Sequence, residues 1–127
     1  AIIAINYGNN NSRQIKLSFN KIDNIYEIKI SDTGINFEIE TLLKLGQEQI
    51  TTHKESGGSG IGFMTTFETL KECKGSLIIE EYNNDNEDYT KSIIIKFDNK
   101  NEYRVRSYRA EEIKQQDKLN RLIVENK

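Results

Sequence analysis

At 127 residues, with 35% hydrophobic content, no proline and a formal charge of −2, the chain has room for one core and one domain, and its balance excludes a bulk nucleic-acid binder. No apolar run approaches the ~20 residues of a membrane span, and no signal peptide opens the chain. A lone cysteine excludes an internal disulfide, and with a single histidine it argues against a zinc site; the expected location is the cytoplasm, with no membrane contact.

The first seven residues are apolar enough for the end of a buried helix, stopped by Gly8 and the asparagines that follow. The stretches 15–19 and 25–30 alternate with period two. Turn chemistry over 21–24 joins them into a hairpin with one buried face. Asp32-Thr33-Gly34 ends the second strand. A helix is expected over 38–45, with Ile39, Leu42 and Leu43 on one side and Gly46 as its stop. After a glycine-rich stretch, Phe63, Phe67 and Leu70 mark a helix that closes at Lys74 and Gly75. Strands over 76–82 and 91–97 follow, joined by a solvated, acidic, asparagine-rich loop. A strand over 103–108 and a charged helix from about Ala110 complete the chain. Three arginines among the aromatics of 103–109 suit an amphipathic edge strand better than an RNA contact at this net charge. The tail helix carries Ile113, Leu119, Leu122 and Ile123, a patchy stripe that suits docking on the core or forming a homodimer equally well. The order of elements predicts an α/β two-layer sandwich of the α+β kind: a mixed, mostly antiparallel sheet with helices on one face. Residues 1–98 form the domain proper, and 99–127 a strand-and-helix extension of it.

The most informative stretch is Thr51 to Phe63, a loop with four glycines in the six residues from Gly57 to Gly62, opening a helix. Such a loop lets backbone N–H groups approach a phosphate at the positive end of a helix. It fits neither a dinucleotide fingerprint, which fails at Phe63 or Ser59, nor a Walker loop, which needs a Gly-Lys-Ser/Thr run. It points to another way of holding a nucleotide. About 25 residues upstream, Asp32-Thr33-Gly34 also opens toward a helix. An aspartate at a strand end can accept a hydrogen bond from an exocyclic amino group, and a neighbouring glycine clears room for a flat ring. Either motif alone reads as a turn or a flexible connection; the two in this order read as a nucleotide site.

Together these residues resemble the GHKL superfamily of ATP-binding domains. Asp32-Thr33-Gly34 is similar to its first glycine box and Gly57 to Gly62 to its second. Thr51-Thr52-His53-Lys54 leading into Gly-Gly-Ser-Gly-Ile-Gly is closest to the lid of sensor histidine kinases, and Ala4-Ile5-Asn6-Tyr7-Gly8 resembles the end of their N-box helix. The resemblance covers roughly residues 1–97 and implies the Bergerat fold, with ATP between the helices under a mobile lid. It implies that Asp32 accepts the adenine amino group, that Gly34 gives the ring clearance and that Tyr7 packs on the adenine. It further implies that Gly58, Gly60, Ile61 and Gly62 line the phosphates through backbone N–H groups, and that Thr51, Thr52 and Lys54 reach the phosphate tail. Thr90 or Ser92 would hold a water beside the base. The implied partners are a phosphoacceptor histidine domain and a response regulator, in two-component signalling.

Departures from the pattern shape the expectation. The family's Mg²⁺-binding asparagine falls on Ile3, which cannot ligate a hard cation; Asn6, one turn further on, is the remaining metal candidate. The second glycine of the first box is Asn36, which tolerates left-handed geometry, so the turn is expected to survive. The chain opens inside a helix, which reads as a fragment lacking the family's first strand. His53, in the lid, reads as an exposed loop residue, so a substrate histidine would lie outside these residues. Three functions follow. They are the ATP-binding catalytic domain of a histidine kinase, a degenerate regulatory GHKL module, and an ATPase coupled to conformational change, the last disfavoured by the short chain.

Overall fold

A computed structural model of the chain describes residues 1–7, 13–51, 68–83 and 88–125. Strand β1 (Ile15–Ile22) returns as β2 (Ile25–Asp32) through Asp23 and Asn24, whose φ angles are 51° and 65°. Two successive left-handed residues match the twist of a two-residue hairpin, and aspartate and asparagine tolerate that conformation. The pairing runs in register from Ile22 against Ile25 to Ile15 against Asp32. Strands β3 (Ser76–Glu81), β4 (Lys91–Lys96) and β5 (Tyr103–Ser107) complete a five-stranded sheet in the order β1-β2-β4-β3-β5. Every neighbouring pair is antiparallel except β3 and β5, so the sheet is mixed. The helices are α1 (Ile2–Tyr7), α2 (Ile39–Thr51), helical residues 68–73 (α3) and α4 (Ala110–Glu125). The chain is therefore an α+β protein, consistent with two layers.

Register sorts the side chains. Leu17, Ile30, Ile93 and Ile79 lie across one face, and Val105 continues it on β5. On that face Leu42 and Leu45 of α2 pack on Ile79, with Phe37, Tyr103, Val105 and Ile113 around them. Each fully buried leucine or isoleucine contributes about 1.5–3 kcal/mol. The Tyr103 hydroxyl donates to the Leu42 carbonyl at 2.9 Å, tying β5 to α2. Burial, with the Glu81 charge adding to it, pushes that phenol well above its ordinary pKa. Ile113 docks α4 on this core, while Leu119, Leu122 and Ile123 further along are exposed. Strand β5 is thus part of the sheet, and Tyr103, Val105 and Ile113 pack against the core.

Two expectations change. Helix α2 does not stop at Gly46 but runs to Thr51. Glycine inside a helix costs about 1 kcal/mol, and the good helix formers Gln47, Glu48 and Gln49 carry the helix past it. The hairpin does not bury a single face: both faces of β2 are half-buried along its middle, and both are buried at its end. On the edge strand β1, Leu17 and Phe19 are exposed, because the described core sits over α2, β3 and β5. No helix among the described residues is long and apolar enough to cross a membrane.

Helix α3 closes as its sequence indicates. Gly75 N–H donates to the Leu70 carbonyl at 2.8 Å, and Lys74 before it takes a φ of 56°. This is the six-to-one bond of a Schellman ending, with lysine in the left-handed position that glycine usually fills. A Cβ on Gly75 would lie 2.7 Å from Leu70 Cδ2 and 3.2 Å from the Lys96 carbonyl oxygen. Two substitutions at this corner should therefore move stability in opposite directions in urea titrations. Lys74→Gly should stabilise by up to about 1 kcal/mol, and Gly75→Ala should destabilise by about 1–3 kcal/mol.

Candidate functional site

Three charged residues stand where the strand pattern calls for apolar ones. Asp32 shares its face of β2 with Ile28 and Ile30, Lys91 its face of β4 with Ile93 and Ile95, and Glu81 its face of β3 with Leu77 and Ile79. Register places all three side by side: Asp32 opposite Lys91, and Lys91 opposite Glu81. Each is at most 4% exposed. Arg109, just before α4, closes the row on Glu81, giving two carboxylates and two cations with no net charge.

At the centre, Lys91 Nζ donates to Asp32 Oδ1 at 2.8 Å and to the Ile35 carbonyl at 2.6 Å, and lies 5.3 Å from the centre of the Phe37 ring. Gly34 N–H donates to the same Oδ1 at 2.8 Å. Asp32 Oδ2 accepts no hydrogen bond among the described residues. Isolating either charge at this depth would cost several kcal/mol, so the pair holds one geometry. The turn is fixed from behind as well: Thr90 N–H donates to the Asp32 carbonyl at 2.9 Å, and Thr90 Oγ1 lies on the Asp32 and Gly34 carbonyls. Gln14 N–H donates to Thr33 Oγ1 at 2.9 Å.

The loop from Ile35 to Glu38 leads from this turn to α2 and is clamped on its far side. Arg109 Nη2 donates to both Glu81 oxygens, at 2.7 and 2.8 Å, and to the Phe37 carbonyl at 2.6 Å. Glu81 Oε2 also accepts from Phe37 N–H at 3.2 Å, and Oε1 from Ser107 Oγ at 2.7 Å. Asn36 Nδ2 donates to the Tyr108 hydroxyl at 2.7 Å, while Asn36 Oδ1 is buried without a partner among the described residues. Asn36 is not among the residues of positive φ, so the turn keeps its course without left-handed geometry there.

The sequence-predicted residues divide by position. Asp32 and Gly34 lie together, buried, at the carboxyl end of β2. Thr51 is the last residue of α2. Ile3, Asn6 and Tyr7 lie on α1, with Asn6 exposed. Thr52, His53, Lys54, Gly58, Gly60, Ile61 and Gly62 lie outside the described residues. Of the two hydroxyls expected beside the base, Thr90 holds the turn's backbone. Ser92 points to the opposite face, where its Oγ bonds Ser31 Oγ at 2.7 Å and the Tyr82 hydroxyl at 2.8 Å. Lys91, between them, is the residue that meets the carboxylate. On the polar face a groove of about 90 Å³ is lined by Lys96, Asp98, Lys100, Glu102, Arg104 and Arg106, among others. It lies away from Asp32 and is smaller than the several hundred Å³ that nucleotide-sized ligands occupy.

Sequence reasoning missed Lys91, Glu81 and Arg109. The signal was present for the first two, since each is a lone charge on the apolar parity of its strand at the same end of the sheet. Arg109 carried no such mark, because its partner is set by how β5 joins α4. Comparisons with known family profiles, with characterised proteins and with solved structures find no match to this chain.

Proposed function

We propose that the chain is an adenine-nucleotide-binding domain of the GHKL type, with the Bergerat fold, that holds ATP for phosphoryl transfer to a histidine outside these residues, as in sensor histidine kinases. The observation that carries the reading is Asp32: a buried carboxylate at a strand end, one oxygen locked by Gly34 N–H and Lys91, the other without a partner among the described residues. A fixed acceptor on a buried aspartate beside a glycine is what recognition of an exocyclic amino group on a flat ring requires. The glycine-rich segment from Gly57 to Gly62 would take the phosphates through backbone N–H groups. In such a reaction the domain's contribution is positioning: the base anchored at Asp32 fixes the line along which the terminal phosphate meets its acceptor.

Mg²⁺ fits the described residues poorly. Ile3 cannot ligate it, Asn6 offers one side-chain oxygen, and no group of three His, Cys, Asp or Glu residues gathers among the described residues. That mismatch favours a second reading, a regulatory module of the same fold that senses adenine nucleotide without transferring phosphate. Calorimetric titration of ATP, ADP and GTP, with and without Mg²⁺, tests both. Adenine-selective binding strengthened by Mg²⁺ supports the kinase domain, and Mg²⁺-indifferent adenine binding supports the sensor. If neither ATP nor ADP binds at millimolar concentration, both readings fail.

A further inference from the structure

Resting on that reading, we infer that Lys91 sets the base preference of the site by closing one of the two Asp32 oxygens. A carboxylate with both oxygens open is a good receptor for two adjacent donors. Guanine presents such a pair in its ring N1–H and its 2-amino group, and parallel charge-assisted bonds of this kind are strong and geometrically specific. Adenine presents a single donor, its 6-amino group, beside a ring nitrogen that accepts.

Here Oδ1 already receives Lys91 Nζ at 2.8 Å and Gly34 N–H at 2.8 Å. Lys91 cannot swing away cheaply. Its side chain is 2% exposed, its ammonium also donates to the Ile35 carbonyl at 2.6 Å, and it sits over the Phe37 ring. Only Oδ2 remains, which satisfies one amino group but leaves a second donor of guanine facing an occupied oxygen. Discrimination then comes from a buried donor left unpaired, which penalises binding more than a missing contact does. Lys91 acts through Asp32 and is a positioning residue; it need not touch the nucleotide.

Inosine triphosphate separates the possibilities, because it keeps the N1–H of guanine and lacks the 2-amino group. Competition against a fluorescent ADP analogue on the wild-type chain should rank ATP first and ITP ahead of GTP by about fivefold or more, since the 2-amino group of guanine is buried without an acceptor. In Lys91→Met, Oδ1 loses its main partner, and GTP should gain on ITP by roughly tenfold or more, the worth of one charge-assisted bond. A purely structural lysine would weaken all three nucleotides together and leave that ratio alone. The wild-type series needs no variant and decides the matter if Lys91→Met does not fold. Wild-type binding of ATP together with GTP bound as tightly as ITP, or more tightly, overturns this inference alone, as does an unchanged ratio in folded Lys91→Met. If ATP does not bind, the reading beneath fails and this inference goes with it.

Discussion

Asp32→Asn is expected to weaken adenine-nucleotide binding and remove a large part of the stability in one step. The substitution keeps the side chain's shape and its place in the turn but removes its charge. Lys91, 2% exposed, is then left as a buried cation with two carbonyl-type acceptors and no counter-ion within its row except Glu81, which Arg109 already occupies. Breaking a buried pair from one side costs about 3–5 kcal/mol, visible as a lower midpoint in urea at unchanged slope. Binding is weakened separately. A charge-assisted bond from the base is worth about 1.5–3 kcal/mol, so affinity for ATP should fall roughly 10- to 100-fold under conditions where the variant remains folded. The double variant Asp32→Asn/Lys91→Met distinguishes the two effects. With both charges gone, much of the stability should return, because apolar replacement of a buried pair is near neutral, whereas ATP affinity should not. ATP binding unchanged in folded Asp32→Asn would rule out this carboxylate as the base acceptor.

How far the sequence discloses this arrangement depends on the range of the interaction. The hairpin at Asp23 and Asn24, the ending at Lys74 and Gly75 and the strands over Ser76–Glu81 and Lys91–Lys96 were legible, because turn chemistry and period-two alternation act over a few residues. Asp32 was legible for the same reason, as an aspartate followed by glycine at a strand end. The course of α2 through Gly46 was not, since a local stop signal gave way to good helix formers beyond it. Lys91 stayed hidden because its meaning depends on register: only when β2 and β4 are paired does it fall opposite Asp32, 59 residues away. Arg109 was further out of reach. Its contact with Glu81 requires β5 to lie parallel to β3, a pairing that alternation alone cannot specify.

That parallel pairing leads to the second large effect: Arg109→Met should destabilise the chain by about 3–5 kcal/mol, although Arg109 belongs to what the sequence reads as a mere extension. The Glu81 side chain is fully buried, and the guanidinium supplies its counter-charge in a two-oxygen clasp while also holding the Phe37 carbonyl. Without it, Glu81 keeps Ser107 Oγ and Phe37 N–H, two bonds that do not neutralise a carboxylate at that depth. Arg104→Met provides the comparison. That arginine pairs with Glu102 at 2.8 Å, but the two side chains are 54% and 42% exposed, and exposed pairs of this kind are worth about 0–1 kcal/mol. Urea midpoints for the two variants should therefore separate widely. The loss should also reach the site, because the loop from Ile35 to Glu38 is held by Arg109 at one end and by Lys91 at the other. Arg109→Met kept folded by added osmolyte should bind ATP more weakly, while Arg104→Met should bind as the parent does. Equal midpoints for the two variants would show that the Arg109–Glu81 clasp adds no more than an exposed pair; a wide gap would show that it builds the floor on which Asp32 is held.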